Sequence, residues 1–326
     1  MKILIVGFGS IGKRHIQNLL KLNDIEIIVC TKQSKFGNLK KHCKFYTKLD
    51  DAIKEEPNVA IIANNTSDHV KTAIQLSKIG LDLFIEKPLS HNFSGVKTLT
   101  KLIHQKKLIT MMGCNLRFHQ SIIKIKELID QKQIGKIISV QAESGSYLPD
   151  WHPYENYKKS YAARNDLGGG VVLTCIHEID YLYWLLGNVK SVFSVTGQFG
   201  NLNITSEDLS AIIMKFQNGT IGELHLDYLQ KSPIRRCKLV GTKGIITWDS
   251  DSNIVKFFDV KKNYWINKSK IKKYNRNLMY EKEISYFIDC VKKREKTINP
   301  IEQGIRTMKI ALAIKKSSKL GRSIKI

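Results

Sequence analysis

KILIVGFGSIG (residues 2–12) sets an unbroken apolar run directly against three glycines spaced G-x-G-x-x-G. Residues 2–6 read as a short buried strand, and Ile11, Ile16, Leu19 and Leu20 follow at helical spacing. A strand that turns through glycines into a helix is the context in which this motif carries weight as a dinucleotide cradle. Gly7 permits the tight turn, Gly9 lets the backbone approach a pyrophosphate, and Gly12 lets helix and strand pack closely. Amides and dipole at the helix start favour negative charge. Gly7, Phe8, Gly9, Ser10, Ile11 and Gly12 are the candidate cofactor-binding residues here.

The same alternation continues outward. IEIIVCT (25–31), VAIIA (59–63), LDLFIE (81–86) and LITMMG (108–113) are further strand candidates. A helix is expected from Ser67-Asp68, good N-cap residues, to Gly80, and another around 96–104. Continuous apolar strands separated by helices predict a doubly wound parallel sheet covered on both faces, ending near Phe118. After a helix at 121–131 the pattern changes. Strands at 137–147 and 192–198 follow, with a hairpin across Gln217-Asn218-Gly219, where Asn-Gly is a strong turn signal, and a further hairpin at 238–249. The fold class is α/β: a Rossmann domain over residues 1–118, then an α+β domain with a largely antiparallel sheet over 119–326. The lysine-rich stretch 261–276 is expected to be an exposed loop, and helices around 280–292 and 302–316 close the chain.

Composition narrows the class. The chain has 326 residues, 42% hydrophobic and 25% charged, and lacks both a membrane-length apolar run and a signal-peptide pattern. A cytoplasmic protein is expected. Its six cysteines are scattered without a C-x-x-C pair, which argues against a metal centre or disulfide framework. Net charge is +24, but Lys outnumbers Arg 44 to 9 and the lysines are spread along the chain. Base readout and phosphate forks favour Arg, so a nucleic-acid partner is disfavoured and an anionic small substrate fits better.

After the second strand, Thr31 and Lys32 stand where NAD-preferring sites carry an acid. No acid is present, and Lys32 could meet a 2′-phosphate, so the choice between NAD and NADP tips towards NADP.

LGGGVVLTCIHEID (167–180) reads as a glycine-led helix. On one continuous wheel Val172, Ile176, Ile179, Tyr183 and Leu186 form a buried stripe, with His177 off its centre beside Leu173, Asp180 and Tyr181. Gly168 to Gly170 allow backbone or ligand to come close. Asp180 could orient the His177 ring or make a structural pair. Thr174 could hydrogen-bond a ligand hydroxyl. Arg117 and Arg164 could bind an anion, with a structural Arg117 as the equal alternative, and Trp151 and His152 could cover a ligand ring or pack a loop.

The glycine fingerprint, FIEKPLS (84–90) with Glu86-Lys87-Pro88, NLRFH (115–119), SYLPDWHPYENY (146–157), the His177 helix and the VGTKGIITWD hairpin occur in order along nearly the whole chain. Together they resemble the glucose–fructose oxidoreductase, inositol dehydrogenase and rhizopine-catabolism family (Gfo/Idh/MocA), most closely members that act in surface-sugar biosynthesis. The resemblance implies hydride transfer between nicotinamide and the carbinol or carbonyl carbon of a sugar, sugar acid or nucleotide sugar. It implies that Lys87 and His177 are catalytic and bind substrate. Asn64, Asn65, Thr66, His69, Glu86, Lys87 and Asn115 would lie near the cofactor, and the open sheet would form a homodimer or homotetramer interface. Many relatives carry an Asp three or four residues before the histidine; here Leu173 and Thr174 stand there. A non-catalytic NAD(P)- or sugar-binding sensor on the same fold is the alternative.

Overall fold

The computed structural model describes residues 1–270 and 275–326, which divide into two compact units. One comprises Met1–Cys114 and Asn277–Arg306, the other Asn115–Arg276 and Thr307–Ile326.

The first unit is built on β1 (Lys2–Val6), β2 (Glu26–Cys30), β3 (Cys43–Tyr46), β4 (Val59–Ile62), β5 (Asp82–Glu86) and β6 (Thr110–Gly113). They form one parallel sheet in the order β3-β2-β1-β4-β5-β6, the doubly wound arrangement expected for this class. Helices α1 (Ser10–Leu19), α2 (Leu49–Ile53), α3 (His69–Lys78) and α4 (Val96–Lys106) connect the strands. Ile3, Leu4, Ile5 and all of Val59 to Ile62 are fully buried. Each such aliphatic side chain contributes roughly 1.5–3 kcal/mol of burial. β3 was not expected from sequence: it is an edge strand, half-buried, with no continuous apolar run. The helix Asn277–Lys293 packs back onto this unit, with Phe287 edge-on to Phe84 of β5 at 5.5 Å.

The second unit has a nine-stranded sheet: β7 (Ile137–Gly145), β8 (Val189–Gly197), β9 (Leu209–Phe216), β10 (Ile221–Asp227), β11 (Ile234–Gly241), β12 (Gly244–Asp249), β13 (Ile254–Asp259), β14 (Tyr264–Lys270) and β15 (Ile324–Lys325). The spatial order is β14-β13-β12-β11-β7-β10-β9-β8-β15, and β7 with β10 is its parallel pair; the other pairings are antiparallel. Helices α5 (Gln120–Asp130), α6 (Val171–Thr174) and α7 (His177–Leu186) cover one face. The Asn218-Gly219 turn joins β9 to β10, with Gly219 at φ +90°. The expected loop at 261–276 is in part a strand: β14 completes a hairpin with β13, and residues 271–274 lie outside the described residues. Among the described residues no helix is long and apolar enough to cross a membrane, and no three His, Cys, Asp or Glu side chains gather as metal ligands.

Candidate functional site

In the first unit the three motif glycines have separable roles. Gly7 sits at φ +109°, and a Cβ there would lie 2.4 Å from the Ala63 carbonyl oxygen. A Cβ on Gly12 would lie 2.3 Å from the Gly7 carbonyl oxygen. Both glycines are thus demanded by the protein's own backbone. Gly9 is different: a Cβ there meets nothing within 4 Å. It caps α1 without a side-chain hydrogen bond, and the first turn holds no acid. An open approach to uncapped amides fits a dinucleotide pyrophosphate. Phe8 points its ring inward, 2% exposed and edge-on to Phe45 at 5.4 Å, so only its backbone can serve the cradle. Ala at position 9 should hold stability to within about 1 kcal/mol yet weaken NADH binding about tenfold or more. Ala at position 12 should cost about 1–3 kcal/mol of stability. Thermal unfolding and an NADH fluorescence titration separate the two effects.

Downstream, Thr31 is buried and its Oγ1 accepts from the Gln33 amide at 3.1 Å, while Lys32 is exposed. After β4, Asn64 donates to Thr72 Oγ1 at 3.0 Å, and its own Oδ1 is buried with no partner among the described residues. That vacant acceptor suits a donor on the nicotinamide half of a cofactor. Asn65 is exposed and Thr66 is buried in a short 3-10 turn. Asp68 does stand at the N-cap of α3, but that turn precedes it and its side chain caps no amide. His69 is buried, with Nδ1 2.8 Å from the Pro88 carbonyl and Nε2 3.1 Å from the Asn64 carbonyl. Burial pushes its pKa down, and a neutral ring has a single N–H, which the shorter contact assigns to the Pro88 carbonyl.

Glu86-Lys87-Pro88 leaves the carboxyl end of β5, and the Lys87–Pro88 peptide is cis. From Leu81 to Ser90 every residue is buried except Lys87. Glu86 is 7% exposed; its Oε1 lies 2.7 Å from His15 Nε2 and its Oε2 accepts from the Lys87 amide at 3.3 Å. The carboxylate expected beside the cofactor is therefore already engaged by α1.

In the second unit the expected single helix is two. α6 ends at Cys175, whose backbone (φ −90°, ψ 30°) leaves the helical path, and α7 begins at His177. The stripe drawn across both halves on one wheel therefore does not hold. What survives is exposure: from Val171 to Leu186 every residue is buried except His177 and Trp184. Thr174 is 4% exposed, so its hydroxyl faces the interior rather than a sugar. The glycines clear space for the protein itself. A Cβ on Gly169 would lie 2.1 Å from the Tyr161 carbonyl oxygen, and one on Gly170 (φ +103°) 2.2 Å from the Glu207 carboxylate.

Arg117 and Asp180, both candidates for substrate contact, close on each other instead. Nε meets Oδ2 and Nη2 meets Oδ1, each at 2.8 Å, with both side chains at 1% exposure or less. Thr307 Oγ1 adds a 3.3 Å contact to Asp180 Oδ1. Asp180 thus neither orients His177 nor faces substrate, and the structural alternative for Arg117 prevails. Asn115 is buried, its Oδ1 without a partner among the described residues. Arg164 is half-buried and pairs with Asp166 two residues on. Trp151 donates to Ser146 Oγ at 2.8 Å and stands edge-on to Tyr228, while His152 leans on exposed Tyr154.

The matches to known proteins divide the chain in sequence, the second running through Asn277–Arg306 of the first unit. A model described as an oxidoreductase family NAD-binding Rossmann fold (GFO_IDH_MocA) matches residues 1–114, and its C-terminal alpha/beta domain partner matches 126–326. The chain belongs to the Gfo/Idh/MocA oxidoreductase family. Myo-inositol 2-dehydrogenase of Thermotoga maritima is 25% identical over 358 residues, covering 100% of this chain and 98% of that protein. Levoglucosan dehydrogenase in complex with NADH superposes at TM-score 0.89 with 15% identity, covering 100% of this chain and 99% of that one. The WlbA dehydrogenase of Bordetella pertussis, in complex with NADH and UDP-GlcNAcA, does so at 0.85 with 18% identity, covering 100% and 98%. At those identities the two structures speak for the fold.

In this Gfo/Idh/MocA oxidoreductase, sequence reasoning missed His15 and His119. The pairing of His15 with Glu86 spans 71 positions and leaves no local pattern. His119 caps α5: its Nδ1 accepts from the Ser121 amide at 3.2 Å, and its ring lies 5.2 Å from that of Trp248. Burial, helped by the Arg235 charge, lowers its pKa to about 4. The native ring stays neutral while the unfolded one takes a proton below pH ~6.5. Stability should therefore be complete above pH ~6.5 and fall by up to about 3 kcal/mol as pH drops to about 4. His119→Asn, which keeps a capping acceptor without that titration, should flatten the loss. Urea unfolding followed by tryptophan fluorescence at pH ~4–7 measures it.

Proposed function

We propose that this family member is a dehydrogenase or reductase that moves a hydride between NAD(P) and a carbinol or carbonyl carbon of a sugar, sugar acid or nucleotide sugar. The observation that carries the proposal is one of exposure. Lys87 and His177 are the sole residue and one of two residues, respectively, to reach the surface in otherwise buried segments, and both match the family's motif. The open, uncapped glycine turn supplies the cofactor cradle, and Asn64 an acceptor beside it. When bound there, nicotinamide supplies the hydride acceptor or donor. His177 takes the hydroxyl proton in oxidation and returns it in reduction, which an imidazole with its unperturbed pKa of about 6.5 can do in both directions. The Lys87 ammonium holds the substrate oxygen and offsets negative charge as it develops. Leu173 and Thr174 leave the ring without the carboxylate many relatives place there.

Exposed Lys32 and the lack of an acid after β2 favour NADP over NAD. Outward-facing Phe193, Val195, Ile213 and Ile221 on β8 to β10 are all at least 40% exposed, which favours a second copy over that sheet face. The expected molar mass in light scattering is two or four times 37.3 kDa. Six free cysteines, five of them buried, fit a reducing compartment such as the cytoplasm.

The deciding experiment offers NAD⁺ and NADP⁺ with a panel of inositols, aldoses, uronic acids and UDP-sugars, reading nicotinamide absorbance. Reduction with at least one compound is expected. NADH binding without turnover on the whole panel would move the protein to the sensor alternative.

A further inference from the structure

The Glu86-Lys87-Pro88 turn is gripped on both sides of the residue that reaches the surface. On one side His15, 0% exposed and carried on the helix that starts at the glycine turn, lies 2.7 Å from Glu86 Oε1. A carboxylate oxygen only accepts, so Nε2 is the donor in this pair, and Nδ1 is buried without a partner among the described residues. The other Glu86 oxygen accepts from the Lys87 amide. Gly113 on β6 makes room for this carboxylate, since a Cβ there would come within 3.0 Å of it. On the other side His69 Nδ1 meets the Pro88 carbonyl at 2.8 Å, and its Nε2 lies near the Asn64 carbonyl. Gly7 closes the ring of contacts, because its α-carbon packs against the Ala63–Asn64 peptide. Strand end, phosphate turn and Asn64 loop are thus tied through two buried imidazoles.

We propose that His15 and His69 are positioning residues that fix the backbone on either side of Lys87. The inference rests on the role given to Lys87 above. A buried carboxylate with one side-chain partner is held by that partner: removing His15 strands the charge and frees the turn. Gln at position 15 can still donate an amide proton to Glu86, whereas Asn, one methylene shorter, cannot reach it. The pair therefore separates the hydrogen bond from mere polarity in the core.

The test reads Lys87 directly and needs no substrate. Trace acetic anhydride labels the protein, and peptide mass spectrometry compares acetylation of Lys87 with that of exposed Lys48. A released turn presents the amine to solvent more often, so His15→Asn should raise the Lys87:Lys48 ratio at least threefold. His15→Gln should restore the native ratio. If the single Asn change does not fold, His15→Asn with Glu86→Gln removes the stranded charge and should show the same rise. An unchanged ratio in a folded His15→Asn or double variant overturns the proposal, as does a His15→Gln variant that labels as fast as His15→Asn. Lys87→Met tests the underlying role separately: retained turnover would remove Lys87 from the chemistry while leaving the labelling ratios of the His15 variants intact.

Discussion

His177→Asn is expected to lower turnover by about 10²–10⁴-fold, the usual worth of a positioned general acid–base group. NADH affinity and unfolding temperature should stay close to native. Asn keeps a polar side chain of similar reach but exchanges no proton near neutrality. The ring opens α7 at a break in the helix and is partly exposed, so its loss leaves no core cavity. Its neighbours on the helix do not substitute for it. Glu178 is held by Arg235 at 2.7 Å and Asp180 by Arg117 at 2.8 Å. With both carboxylates committed to arginines, neither can take over proton transfer in the variant. A variant that unfolds in proportion to its lost activity would make His177 a core residue instead. Steady-state kinetics, NADH titration and thermal unfolding together separate the two outcomes.

Arg117→Met is expected to destabilise the protein by about 3–5 kcal/mol, because it leaves Asp180 charged and sealed from water. Arg117→Met with Asp180→Leu should recover most of that loss, since an apolar pair of similar volume desolvates no charge. If Arg117 were instead an anion-binding residue, both variants would fold normally and lose substrate affinity. Urea unfolding of the two single variants and the double variant provides the cycle. A coupling energy below about 1 kcal/mol would contradict a buried bidentate bridge.

The parts of the molecule legible in sequence are those written in local pattern. Strand β1, the glycine turn and helix α1 lie consecutively, and each signals itself by apolar run, spacing or amphipathic period. The Asn218-Gly219 hairpin and the two-residue turn between β11 and β12 were equally readable. Pairings between distant residues were not. Arg117 meets Asp180 across 63 positions, and an arginine at a strand end looks the same whether it faces water or a buried acid. The break at Cys175 escaped because no Gly or Pro marks it: VVLTCIHEIDYLYWLL carries a continuous helical pattern. The glycines clear space at a helix entrance, and at Gly169 and Gly170 that space is taken by Tyr161, Ala162, Arg164 and Glu207. Sequence shows that a glycine is required, not what presses against it.

The parallel sheet depends on residues synthesised long after it. Arg294 pairs with Asp82, Thr297 donates to the Thr110 carbonyl at 2.6 Å, and Asn299 donates to that of Met112 at 3.2 Å, all at the β5–β6 side. These partners emerge about 180 residues after Cys114. At a synthesis rate of roughly 5–20 residues per second, that side of the sheet waits about 10–40 s for its cover. During that interval the nascent chain presents an unfinished apolar face to whatever holds it at the ribosome. A message truncated after the Rossmann segment would yield a fragment that carries the whole nucleotide fingerprint and lacks the helix that buries Phe84.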